Sequence, residues 1–210
     1  LTSEVSLGGP IVPRPLKVLG VISAPENLSV YDLAPIDRKA EENALKAALV
    51  DVAEIQLEFL EPPITLERLD ERLHRGFHIV HFIGHGKLSN RGQPALCFED
   101  ADRQLQFIAG DDFAAMLQRQ STLLRPRLLF LSACYSASTP QTESFQGIAQ
   151  KAVRAGVPAV IAMQDTVSID TAREFSQKFY QELLDLDGIV DHALNHARSL
   201  LVSAQREEAT

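Results

Sequence analysis

Short, almost wholly apolar runs alternate along the chain with segments whose apolar residues recur every three or four positions. Leu16-Lys-Val-Leu-Gly-Val-Ile22 is β-branched and apolar, is bounded by prolines, and predicts a buried strand. Asp37 to Val50 carries Ala40, Ala44, Leu45, Ala48 and Leu49 at helical spacing, with Asp37 as N-cap and the acidic Glu41 and Glu42 near the first turn. Ile55, Leu57 and Phe59 alternate and predict a second strand over Ile55 to Leu60. Pro62-Pro63 stops that strand, and Thr65 opens a helix. Phe77 to Ile83 predicts a third strand. Ala95 to Phe98 and Gln104 to Phe107 flank the polar Glu99-Asp-Ala-Asp-Arg103 and predict a β-hairpin. A helix follows from about Gly110 to Gln118, then a strand over Arg127 to Leu131. Ser144 to Ala155 predicts a helix that stops at Gly156, and Val157 to Met163 a fifth core strand. Ile169 to Leu186, and Ile189 to about Gln205, predict helices separated by Gly188.

Strand alternating with helix predicts a parallel sheet covered on both faces. Leu1 to Pro15 holds three prolines and no cationic-then-apolar signal pattern, so residues 1–15 are expected to be a linker or N-terminal arm. The chain opens on Leu1 rather than Met, as expected of an excised piece or a processed product. With no internal repeat and no low-complexity tract, residues 16–205 are expected to form one domain.

Composition narrows the function. A net charge of −8 argues against direct nucleic-acid binding, which needs a basic face. No apolar stretch approaches the roughly 20 residues that cross a bilayer, so no membrane partner is expected. Two cysteines, Cys97 and Cys134, make no disulfide framework, and a reducing, cytoplasmic location is the simplest expectation.

Two motifs close apolar runs: Gly84-His85-Gly86 and Ser132-Ala133-Cys134. In an open α/β sheet, ligands bind beyond the carboxyl ends of the strands, where His85 and Cys134 are both expected. Strands about 4.8 Å apart bring such residues within reach of one substrate. Gly84 and Gly86 let a substrate chain approach without a side-chain clash. The amides of Gly86 and Cys134 are candidates to hold a developing oxyanion. Ser132 and Ala133 are small and leave room beside the thiol. Singly, His85 reads as a turn histidine and Cys134 as a small core residue; at matching sheet edges they read as a catalytic pair.

The runs His78-Ile-Val-His-Phe-Ile-Gly-His-Gly86, Leu129-Phe-Leu-Ser-Ala-Cys134 and Gly156-Val-Pro-Ala-Val-Ile-Ala-Met-Gln164 resemble the CHAT domain, a bacterial branch of the caspase-like peptidases of clan CD. The resemblance covers about Leu16 to Leu201, with motif order and spacing in agreement. It implies an α/β, caspase-like three-layer sandwich with a mostly parallel central sheet. It further implies a cysteine endopeptidase: Cys134 as nucleophile, His85 as acid and base, and Gly86 with Cys134 as oxyanion donors. The partners it implies are a protein or peptide substrate and a fused or bound sensor module such as helical repeats. Some such domains act in CRISPR-linked or gasdermin-linked bacterial defence. Some caspase-like relatives carry Asp or Gln two residues before the cysteine, in the pocket for the residue preceding the cut. Ser132 stands there, so the pocket's charge is not readable from that position. Asp165 and Asp32, expected beyond strand ends, are candidates to face the cleft and favour Lys or Arg; the alternative is that both are solvated loop carboxylates.

No cofactor or metal is expected. His81, His85 and Cys134 lack a fourth ligand or carboxylate motif for zinc, and His81 is expected to pack in its strand with a hydrogen bond. His78 is expected on the opposite strand face in a structural role. His192 and His196 lie one helical turn apart without the glutamate of a metalloprotease motif. Glu99, Asp100 and Asp102 lack calcium-loop spacing and are expected at a solvated hairpin tip. Cys97 is expected in the core. Tyr135 to Gln141 is a polar loop expected to be a mobile activation segment. Two rival readings stand beside the peptidase. One is a catalytically silent caspase-like interaction domain in a signalling assembly. The other is a thiol-dependent transferase or redox sensor, disfavoured because Ser23-Ala24-Pro25 after Ile22 is no phosphate-cradling glycine loop.

Overall fold

A strand covered by helices on both faces needs apolar side chains at nearly every position, and the central strands meet that demand. The computed structural model describes residues 2–5, 14–89, 91–133, 142–163, 169–186 and 188–207. In chain order the elements are β1 (Thr2–Val5), β2 (Leu16–Ile22), α1 (Arg38–Leu49), β3 (Ile55–Phe59), α2 (Leu66–Leu73), β4 (Ile79–Gly84), β5 (Gly86–Leu88), β6 (Pro94–Glu99), β7 (Leu105–Ala109), α3 (Gly110–Arg119), β8 (Leu128–Ala133), α4 (Thr142–Arg154), β9 (Ala159–Ala162), α5 (Ile169–Asp185) and α6 (Val190–Glu207). Both predicted caps are present: Asp37 accepts the Ala40 amide at 3.0 Å, and Thr65 Oγ1 accepts the Arg68 amide at 3.2 Å.

Among the described residues the central sheet has the order β1-β9-β8-β4-β2-β3, parallel throughout except for the antiparallel β1–β9 pair. Side chains alternate between its faces. Leu19, Val21, Val80, Phe82, Leu129 and Leu131 pack with α2, α3 and α4. Val18, Ile22, Ile79, Ile83, Leu128 and Phe130 pack with α1, α5 and α6. The architecture is therefore the expected three-layer α/β sandwich with a mostly parallel core. Thr2–Val5, inside the segment expected to be a linker or arm, runs as the edge strand beside β9.

The hairpin expected around residues 95–107 forms as β6 and β7, and β5 joins it in a separate three-stranded antiparallel sheet. Glu99 departs from expectation: it is no solvated tip residue but fully buried. Its carboxylate accepts the amides of Ala24 at 3.1 Å and Ile64 at 2.9 Å and pairs with Arg103 at 3.8 Å. A carboxylate can be buried only where donors replace its water, and three converging segments supply them. Asp100, by contrast, shapes the hairpin turn, accepting the amides of Asp102 and Gln104.

Candidate active site

β4 and β8 are hydrogen-bonded neighbours whose register ends at Gly84↔Ala133. His85 follows the first of these residues in the chain and Cys134 the second. Cys134 itself, the segment Tyr135 to Gln141 and Asp165 lie outside the described residues.

His85 is held between two glycines that tolerate no side chain. A Cβ on Gly84 would lie 2.9 Å from the Phe82 ring, and one on Gly86 would lie 2.5 Å from Ser144 Oγ and 2.8 Å from the Phe145 ring. The His85 side chain is fully buried, with Nε2 2.8 Å from the carbonyl oxygen of Ala34. A carbonyl only accepts, so Nε2 carries the hydrogen and the neutral ring keeps its lone pair on Nδ1. The same carbonyl steadies the ring when both nitrogens are protonated. Ala34 is a partner the sequence did not disclose, because a backbone carbonyl has no residue signature.

The amide of Gly86 has a defined orientation. Cys97 N donates to His85 O, and Ser89 N to Gln93 O, so residues 85, 87 and 89 bond inward to β6. By that alternation the backbone groups of Gly86 and Leu88 point away from β6. Asp32 is exposed at φ 55°, two residues before Ala34. Ser132 is buried and its hydroxyl donates to Met163 Sδ at 3.2 Å. It lines a small cavity of about 20 Å³ with Glu41, His81, Arg173 and Ser176. Glu41 had been placed only as a first-turn acid of α1; its burial in this wall follows from how α1 packs on the sheet.

His81 lies on the same face as Ile83 and is stacked on Phe130, with ring centroids 4.3 Å apart. Its Nδ1 is 3.0 Å from Tyr180 Oη, and burial pulls its pKa down to about 3. It is a neutral core histidine. His78 Nδ1 accepts the Lys17 amide at 3.0 Å, and burial with the nearby charges of Lys17 and Arg127 lowers its pKa. His196 pairs with Glu182 at 2.6 Å rather than with His192. Cys97 is buried, and burial pushes its thiol up to about 12, so it is inert. No helix among the described residues is long and apolar enough to cross a membrane.

No curated protein matches the chain. The family model described as CHAT domain matches residues 12–209. That match spans the whole sandwich, including the paired ends of β4 and β8: the chain belongs to the CHAT domain family, whose members are related to caspase-like cysteine peptidases.

Proposed function

We propose that this domain is a cysteine endopeptidase with a His85–Cys134 dyad. The observation that carries the reading is the Gly84↔Ala133 pairing, one residue short of both groups on adjacent parallel strands. In the proposed cycle the Cys134 thiol proton passes to His85 Nδ1 and the thiolate attacks the scissile carbonyl. The amides of Gly86 and Cys134 hold the oxyanion, and the imidazolium, steadied by the Ala34 carbonyl, protonates the leaving amine. Water then attacks the thioester, giving its proton to His85, and the acid product leaves as the thiol is regenerated. Preset oxyanion donors contribute several kcal/mol because they need no reorganisation as charge develops. The residue before the cut is Lys or Arg, attracted by Asp32 beside the His85 wall and by Asp165; Ser132, committed to Met163, contributes shape rather than charge. The domain serves as the effector of a larger bacterial sensor or defence protein, working in a reducing compartment.

A thiol-reactive peptide probe tests this directly. Wild-type chain is expected to be labelled at Cys134, and His85→Ala to lose about a thousandfold or more in labelling rate. Absence of labelling and of peptide cleavage, with the sensor engaged, would leave the silent interaction domain as the correct reading.

A further inference from the structure

A groove of about 340 Å³ is lined by Tyr31, Lys87, Leu88, Ser89, Ala95 and Phe107. That volume is in the range of ligand pockets. Its apolar walls are two aromatic rings in edge contact, Tyr31 and Phe107, with centroids 5.5 Å apart. Phe107 keeps 42% of its surface exposed, and neighbouring Val30 keeps 75%. Two hydrogen bonds tie the groove to the catalytic wall. Ala34 O holds His85 Nε2 at 2.8 Å, and Tyr31 O accepts Lys87 Nζ at 3.1 Å, so residues 31–34 run alongside 85–87.

We propose that this groove receives an apolar side chain from the leaving side of the substrate, two or three residues after the scissile bond. The inference rests on the proteolytic reading above and deepens it. In the proposed cycle His85 protonates the leaving amine, so the chain after the cut departs from the His85 side. Among the described residues β5 is the edge strand of its sheet, and the amide and carbonyl of Leu88 point away from β6, the direction in which an extended peptide adds by backbone pairing. Leu88 lies three residues beyond His85, which at about 3.3 Å per residue is roughly 10 Å. An extended substrate covers that distance in two to three residues past the bond, and its side chain there enters the groove at Leu88, with Tyr31 and Phe107 forming the farther wall.

The test uses peptides identical up to the cut that carry Leu or Phe, against Asp or Gly, at the second and third positions after it. Cleavage by the full chain is followed, and binding of the same peptides to the Cys134→Ala variant is read by fluorescence anisotropy, which needs no turnover. The apolar peptides are expected to win by about tenfold or more in both readouts. Phe107→Ser, at a half-exposed position, and independently Leu88→Ser, are expected to remove most of that discrimination. An acyloxymethyl ketone probe, which carries no residue after the cut, reports on catalysis alone in the wild type. Labelling of Cys134 without apolar discrimination overturns the groove assignment. No labelling overturns the proteolytic reading, and the assignment with it.

Discussion

His81 and His85 are two positions apart in sequence, yet their partners make them different kinds of histidine. His81 sits between Phe130 and Tyr180, where burial strips the water an imidazolium would need. Its ring titrates near pH 3 in the fold, against 6.5 in an unfolded chain. Between those values the unfolded chain binds a proton that the native ring refuses, so stability rises with pH across that window and is lost on acidification. Denaturation from pH 7 to pH 4 is expected to show a slope contribution on the order of 1 kcal/mol per pH unit that His81→Gln removes. His85 instead meets a backbone carbonyl, with Nε2 2.8 Å from Ala34 O, which fixes the orientation of its ring. Burial pushes the Tyr180 phenol up as well, keeping it a neutral donor. Tyr180→Phe is therefore expected to cost about 1–2 kcal/mol in chemical denaturation by leaving the His81 nitrogen unpaired.

Elements meet at contacts that a single atom can break. Gly86 lets β5 lie against the start of α4 at Ser144 and Phe145. Gly86→Ala is expected to push these apart and cut peptide cleavage by about a hundredfold, with a stability loss of about 1–3 kcal/mol by thermal melting. Glu99 joins β6 to the segments after β2 and before α2, through the Ala24 and Ile64 amides. Glu99→Ala strands two buried amides and is expected to cost about 3 kcal/mol in denaturant midpoint measurements. That residue also shows where sequence reading stops. Its neighbours Asp100 and Asp102 are polar turn residues, and nothing local distinguishes a carboxylate that water solvates from one that distant amides solvate. Glu41 is the same case, a first-turn acid by spacing and a cavity-lining one by packing. The strands and caps were legible because apolar runs and side-chain caps are local: β2 spans Leu16–Ile22, as its run of β-branched residues indicated.

At the scale of the molecule, strand order decides the chemistry. β4 and β8 are separated in sequence by the whole three-stranded sheet and α3, and they adjoin in the central sheet because both are apolar on two faces and must lie in its interior. The acidic surface acts at this scale too. A net charge of −8 attracts cationic molecules at long range. Cleavage of Lys or Arg peptides is expected to slow several-fold as salt rises from about 0.02 M to about 0.5 M, where screening shortens to a few ångströms. Asp32→Asn is expected to reduce the preference for Arg over Ala before the cut by a few-fold at low salt, read from kcat/KM ratios.

Periodicity and run length by themselves determined the sandwich class, the parallel core strands, the capped helices and the glycine-flanked histidine at a strand end, because each is set by interactions within a few residues. Tertiary structure alone decided that the Ala34 carbonyl orients His85, that Glu99 is buried, that β5 is an edge strand among the described residues, and that Tyr31 meets Phe107 beside a groove. Those outcomes depend on groups far apart in sequence that come together only when the layers pack, and a backbone carbonyl or a rim of ordinary side chains leaves no mark in the order of residues.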